Sequence, residues 1–208
     1  MIAALYVMPR GPYYGLPGVE PWGLPERDAR LYAGPWPVVA HPPCARWGRY
    51  WFGGPMAVVH GKRKIKGQDD GCFAAALMSV RRYGGILEHP ADSWAWPFHA
   101  LAKPPRSGGW VAAGDGIGWT CCVEQGHYGH PARKATWLYV SHVRLAWLPA
   151  MRWGPSGQRL KLDDGFHTAA ERRRAVKTGR CQQLSKRQRA ETPIVFRDLL
   201  LTIARSVA

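Results

Sequence analysis

The chain contains no Cys-x-x-Cys pair, and its five cysteines are an odd number. This pattern argues against both a disulfide framework and a common structural zinc site, so we expect no bound metal. No apolar run approaches the ~20 residues that a helix needs to cross a membrane. Residues 1–8 are apolar but have no basic leader, and Pro9 follows them, which is wrong for a signal peptide. We therefore expect a soluble cytoplasmic protein without a membrane partner.

Acidic residues are also scarce, with 14 Asp or Glu against 29 Lys or Arg, a net charge of +15. An excess of this size favours a polyanionic partner, and nucleic acid is the leading one. Eleven tryptophans accompany the charge, and aromatic rings beside cations are suited to stacking unpaired bases. Residues 151–208 carry 13 of the basic and 5 of the acidic residues. We interpret them as a basic extension of a core at residues 1–150, ending in a docked amphipathic helix.

Two short apolar segments predict neighbouring parallel strands. Residues 2–7 are rich in strand-forming side chains, and Val38 and Val39 form a β-branched pair before two prolines that stop the strand. Cys44 follows these prolines on a stiffened loop. Arg46 is expected to lower the pKa of its thiol and so favour the nucleophilic thiolate. A free cysteine is also commonly a small buried hydrophobic residue, and this is the alternative interpretation of Cys44.

The clearest helix is predicted at residues 72–83, which have helical apolar spacing, basic residues near the end and glycines beyond it. The next strand, residues 86–89, ends on Glu88 and His89. In an open α/β sheet, ligands bind outside the carboxyl ends of parallel strands, so Cys44 and Glu88 should lie at one edge. Between them, a basic segment is predicted to contact phosphate and consists of Lys62, Arg63, Lys64 and Lys66.

These pieces, with a third, stand in a recognisable order: Pro42-Pro43-Cys44, then Leu87-Glu88-His89-Pro90, then the run from Gln125 to Leu138 that contains Arg133 and Lys134. This order resembles the DNA cytosine-5 methyltransferases, in particular the small forms often found among phage genes. The likeness covers residues 37–149. It implies an α/β fold with a compact, Rossmann-like and mostly parallel sheet, carrying long loops rich in proline, glycine and tryptophan.

The resemblance also implies a chemistry and a substrate, double-stranded DNA. The thiolate of Cys44 would add to C6 of a flipped-out pyrimidine, making C5 nucleophilic, while Glu88 hydrogen-bonds or protonates N3. Arg133 would orient the base or stabilise developing charge, with Lys134 as its substitute. Further contacts with the base or the DNA are expected from Arg46, Trp47, His89, Gln125 and the basic segment.

The part of the sequence expected to bind the cofactor departs from the pattern of the methyltransferases that the chain resembles. The resemblance implies S-adenosylmethionine as donor, held by a Gly-rich turn, a full helix and a second strand ending in an acid. Here Gly11 and Gly15 are interleaved with prolines, and the second strand and first crossover helix look lost or reduced. Glu20 or Asp28 would stand in as the acid that binds ribose.

Three hypotheses follow from the sequence. The first is a DNA base-modifying enzyme with a trimmed cofactor site. The second keeps the base pocket but uses a donor other than S-adenosylmethionine to hypermodify or exchange the base. The third is a basic DNA-binding module on a degenerate methyltransferase fold without catalysis.

Overall fold

The computed structural model describes residues 1–48, 50–53, 55–158, 168–179, 184 and 186–207. The described chain forms one seven-stranded sheet between helices, which confirms the α/β class. The strands are β1 (Ile2–Leu5), β2 (Val19–Trp22), β3 (Val38–Ala40), β4 (Gly85–Pro90), β5 (Val111–Ala112), β6 (Gly118–Glu124) and β7 (Ala135–Ser141). Their order in the sheet is β2-β1-β3-β4-β7-β6-β5.

The sheet is mixed rather than mostly parallel. The three pairings among β2, β1, β3 and β4 are parallel, whereas β4 with β7, β7 with β6, and β6 with β5 are antiparallel. The two longest ladders are antiparallel, because β6 and β7 pair over seven residues and β4 and β7 over six, whereas no parallel ladder among the described strands exceeds four. The parallel neighbours β1 and β3 were predicted correctly, but the reversed direction of β7 was not.

The second strand, which the sequence suggested was lost or reduced, is present as β2 at the sheet edge. Pro21 lies within it, and an edge strand tolerates a proline because its outer side needs no ladder donor. Within the described residues between β1 and β3, the only helical element is a short 3₁₀ turn, Ala29–Leu31, which lies in the connection from β2 to β3 and agrees with the proline-rich sequence.

The helices are α1 (Pro55–Val59), α2 (Cys72–Tyr83), α3 (Ala95–Phe98), α4 (Ala169–Lys177), α5 (Lys186–Ala190) and α6 (Ile194–Arg205). The bounds of α2 match the prediction. Its ends are set by Gly71 and Gly84, whose φ angles of 75° and 76° favour glycine. Asp69 supports the first turn, because its carboxylate accepts hydrogen bonds from the N–H of Gly71 and of Phe73.

Helices α2 and α6 cover opposite faces of the sheet, so the core has two layers. Side chains alternate along each strand, as a pleated strand requires. In β1, Ile2 and Ala4 pack on the α6 side, whereas Ala3 and Leu5 pack on the α2 side. The same alternation in β4 directs Ile86 to the α6 side.

Candidate functional site

A cavity of about 670 Å³ lies at the carboxyl ends of β1, β3 and β4, on the α6 side of the sheet. The chain leaves β1 to form β2 on one side of it and returns to form β3 on the other. This reversal opens a crevice, and open α/β sheets bind ligands at such a point. Strand β7 brings in a further segment, because it runs antiparallel and its first residues lie at the same edge as the last residues of β4.

Cys44 lines this cavity together with Glu88 and Lys134. The thiol is reached by solvent, but protein surrounds it on most sides. Burial and the Glu88 carboxylate raise its pKa, and the Lys134 ammonium lowers it in part. The prediction that Arg46 lowers this pKa is therefore wrong. The Arg46 guanidinium instead donates a hydrogen bond to the carbonyl of Trp51, at 3.1 Å.

Glu88 is a buried carboxylate with a donor on each oxygen. Its Oε2 lies 2.9 Å from Nδ1 of His41, and its Oε1 accepts a hydrogen bond from Nε2 of Gln125 at 3.1 Å. Burial alone would raise the pKa of Glu88. The His41 hydrogen bond and the charge of Lys134 outweigh burial and lower this pKa to about 2. Glu88 is therefore ionised at neutral pH.

Of the two basic candidates before β7, Lys134 lines the cavity. Its Nζ donates a hydrogen bond to the carbonyl of Glu191 at 3.0 Å, and burial lowers its pKa. The Nε of Arg133 donates to the carbonyl of Gln158 at 2.9 Å, and Arg133 is not among the residues lining the cavity. Of the two candidates, Lys134 is thus the one whose charge acts on the Cys44 thiol.

Gln125 is buried directly after β6 and holds Glu88 from the side. Its Nε2 also lies 3.0 Å from Oγ1 of Thr136, which itself donates to the Lys134 carbonyl. Of the predicted residues, Cys44, Glu88 and Lys134 therefore line one cavity. Gln125 does not line it and is connected to it through its hydrogen bond to Glu88.

Two other predicted contacts, Trp47 and His89, lie in the core on the α2 side. Trp47 is only 2% exposed, and its Nε1 donates to the Asp69 carboxylate at 2.7 Å. His89 is fully buried, and its ring stacks on that of Trp96. Neither side chain is accessible for contact with DNA.

The predicted basic segment is exposed and interleaved with aromatic rings. Lys66 Nζ lies 3.8 Å from the centroid of the Trp94 ring and 5.1 Å from that of Trp51, and Arg63 lies 5.8 Å from Trp51. The N–H of Gly67 donates to the carbonyl of Arg46, which ties the segment to the Cys44 loop. We call this the basic-aromatic surface, and it consists of Trp51, Phe52, Lys62, Arg63, Lys64, Lys66 and Trp94.

A smaller cavity of about 300 Å³ adjoins the first on the α2 side, sharing a wall formed by residues 6–8 and Pro43. Asp28 lines it, but both Asp28 oxygens already accept hydrogen bonds from Arg30.

The other residues predicted for S-adenosylmethionine lie elsewhere. Gly11 lines the larger cavity, Glu20 is paired with Arg27, and neither Glu20 nor Gly15 lines either cavity. The four predicted residues therefore do not all line one cavity.

Sequence reasoning missed three contributors to the larger cavity. His41 was passed over although it is an ionisable residue directly after a strand, and Tyr13 has no local signal. The segment before α6, residues 189–194, also forms a wall of the cavity.

Comparison with known proteins gives no match to a family model, to a curated protein or to a solved structure. Among the described residues, no group of three or more His, Cys, Asp or Glu side chains is placed to hold a metal ion. None of the helices in the described part of the chain has the length and apolar character needed to cross a membrane.

Proposed function

We propose that this chain is an enzyme that modifies a pyrimidine base of DNA, with Cys44 as the nucleophile. One observation carries the proposal: Cys44, Glu88 and Lys134, which come from three separate segments, line one cavity at the switch point of the sheet. The cavity volume of about 670 Å³ lies within the range of small-molecule sites. The parallel half of the sheet and its crevice also support a Rossmann-like interpretation.

The first step is addition of the Cys44 sulfur to C6 of the base. The S–H bond breaks as the S–C6 bond forms, and the ionised Glu88 carboxylate takes the thiol proton. Glu88 then passes this proton to N3, so the C5=C6 electron pair is redistributed into an enamine whose C5 is nucleophilic. Because the pKa of the Cys44 thiol is raised and that of Glu88 is lowered, Glu88 takes this proton only as the S–C6 bond forms and the attached sulfur becomes more acidic.

Lys134 stabilises the charge that develops during the addition. Its ammonium retains two N–H donors beside the one bound to Glu191, and these can approach a carbonyl oxygen of the pyrimidine. Burial strengthens this interaction because fewer water molecules compete for the charge. Lys134 thus takes the role that the resemblance gives to Arg133.

The basic-aromatic surface would hold the DNA while the base is extruded. A base inside a duplex cannot reach a thiol in a cavity, so the target must be flipped out. Cations contact phosphate without reading sequence, and the rings of Trp51 and Trp94 offer faces for unstacked bases. The net charge of +15 agrees with such a partner.

An exchange experiment tests the proposal without knowledge of the donor. In D₂O, the enamine formed by Cys44 takes up deuterium at C5. Loss of the C5 proton as the S–C6 bond breaks then restores the C5=C6 bond and leaves deuterium at C5 of the base in the oligonucleotide. We expect the wild type to introduce deuterium at C5 of cytosine or uracil in an oligonucleotide. Cys44→Ala should slow this exchange by at least about a thousandfold, as loss of a nucleophile does. Cys72→Ala, which removes the thiol beside the smaller cavity, is the matched control and should exchange like the wild type.

A donor other than S-adenosylmethionine is the second form of this proposal. It is favoured by the scattering of Gly11, Gly15, Glu20 and Asp28, which do not converge on one site. Calorimetric titration with S-adenosylmethionine separates the two forms. Heat of binding supports the methyl donor, and its absence at high concentration together with C5 exchange supports another electrophilic donor.

A DNA-binding module without catalysis is the remaining candidate. The raised pKa of the Cys44 thiol favours it, because a protonated thiol is a poor nucleophile. DNA binding by a wild type that exchanges no C5 hydrogen, on duplex or on single strands, would establish this candidate over the enzyme.

A further inference from the structure

His41 bridges two buried groups at the wall of the larger cavity. Its Nδ1 lies 2.9 Å from Oε2 of Glu88, and its Nε2 lies 2.8 Å from the hydroxyl of Tyr13. The His41 and Glu88 side chains are only 12% and 9% exposed. The three side chains come from the loop after β1, the end of β3 and the end of β4, so the fold itself brings them into line.

When His41 is neutral, the hydrogen bonds that join Tyr13, His41 and Glu88 all point the same way. Glu88 is ionised at neutral pH and has no proton to donate, so Nδ1 of His41 carries the hydrogen between them. Nε2 of a neutral imidazole is then an acceptor. Tyr13 keeps its proton, because burial and the nearby Glu88 charge raise its pKa well above the ordinary value. The Tyr13 hydroxyl therefore donates to His41, and His41 donates to Glu88.

Other charged groups act on the same three side chains. Lys134 and His89 favour the ionised form of Glu88, and the Glu88 charge in turn acts on the Cys44 thiol. On α6, the charge of Arg197 lowers the pKa of Tyr13 and the charge of Asp198 raises it. Among these neighbours, the direct hydrogen bond from His41 is the largest influence that favours the Glu88 carboxylate.

We propose that His41 is the positioning residue of Glu88: it holds this carboxylate ionised and aimed at the base, and Tyr13 holds His41 in the required tautomer. The proposal rests on the function proposed above and adds two residues to that reaction. Gln125 fixes the second oxygen, so both Glu88 oxygens are held while their remaining lone pairs face the cavity.

This arrangement explains how one carboxylate can serve as base and then as acid. The ionised Glu88 takes the Cys44 proton during addition. Because His41 and Lys134 favour the charged form, the protonated Glu88 is a strong acid and hands the proton on to N3. Without His41, Glu88 would keep the proton and C5 activation would slow.

The test is a titration of the Glu88 carboxyl by ¹³C NMR in full-length protein labelled at glutamate. In the wild type this carboxyl should remain ionised at pH 4. In His41→Leu its pKa should rise by at least about one unit, and in His41→Asn, whose side-chain N–H can replace Nδ1–H, most of the rise should be reversed. Tyr13→Phe should give an intermediate rise. Tyr14→Phe removes the neighbouring hydroxyl, which has no contact with His41, and should match the wild type.

The same variants are then assayed for C5 exchange against pH. The acid side of the rate profile should move upward with the Glu88 pKa in His41→Leu and return toward the wild type in His41→Asn. An unchanged Glu88 titration in a folded His41→Leu protein would overturn the proposal, and so would a shifted titration with an unchanged rate profile. A wild type that shows no exchange at any pH contradicts the proposed function instead, because the titration does not depend on the reaction.

Discussion

Glu88 and His89 are neighbours in β4 whose side chains point to opposite faces of the sheet and experience opposite environments. Glu88 faces a polar cavity, and its pKa is lowered to about 2 by donors and cations despite burial. His89 lies against Phe73 and Trp96 in the core. Burial lowers its pKa to about 4, outweighing the Glu88 charge. At neutral pH, His89 is thus an uncharged core residue.

Burial of His89 makes the stability of the fold depend on pH. Between pH 6.5 and 4 the unfolded chain binds a proton at this residue and the folded chain does not, so stability falls as pH falls through this window. We expect the wild type to lose about 3 kcal/mol of unfolding free energy here from His89 alone. In His89→Leu that loss should disappear, as measured by urea unfolding at a series of pH values. The same pH dependence in both proteins would show that His89 is not the group responsible.

The loop that carries Cys44 is tied to the start of α2 through Asp69. One oxygen of Asp69 accepts from Nε1 of Trp47 and from the N–H of Phe73, and the other accepts from the N–H of Gly71. A single carboxylate therefore fixes both the helix start and the chain three residues beyond Cys44. The contacts of Asp69 therefore connect the predicted start of α2 with the loop that carries Cys44.

Asp69→Asn should lower the unfolding free energy by about 1–2 kcal/mol, because an amide NH₂ group would replace an oxygen facing N–H donors. Thermal and urea unfolding measure the loss. Asp70→Asn is the matched control, because Asp70 is exposed and makes no side-chain contact of this kind among the described residues. Equal stability of the two variants would contradict the structural role of Asp69.

At the scale of elements, sequence signals predict α2 well and the edge strands poorly. The glycines beside α2 and its apolar spacing are local, and its bounds were correct. Strand β2 escaped notice because it is four residues long and contains Pro21. The direction of β7 depends on pairing with β4, some 50 residues earlier in the chain, which no local pattern encodes.

Some residues of the candidate site could likewise be predicted from the sequence, and others could not. Cys44, Glu88, Gln125 and Lys134 follow strand ends or precede a strand, so their order along the chain indicated them. His41 pairs with residues 28 and 47 positions away, and such contacts appear only once the sheet is assembled.

At the scale of the whole molecule, the net charge of +15 predicts DNA binding that weakens steeply with salt. Replacing Lys62, Lys64 and Lys66 by Gln should lower the slope of log affinity against log salt by about two to three. A matched triple variant of α4 carries Gln at three basic positions away from the basic-aromatic surface and should keep the wild-type slope within about one. Its positions are Arg173, Arg174 and Lys177. Fluorescence anisotropy with a short duplex between 50 and 200 mM salt measures both slopes.

Equal loss of slope in the two triple variants would mean that the basic-aromatic surface has no special role. Binding that hardly changes between these salt concentrations would remove the electrostatic basis for a DNA partner altogether.

The covalent role of Cys44 is central to the proposed reaction, and deuterium uptake at C5 tests it most directly. Wild type and Cys44→Ala would be incubated in D₂O with the same set of duplex and single-stranded oligonucleotides, and the nucleosides would be analysed by mass spectrometry. We predict a mass increase of one unit on deoxycytidine or deoxyuridine with the wild type and none with Cys44→Ala. Equal labelling by the two proteins, or no labelling by the wild type on any substrate, would contradict a Cys44 nucleophile.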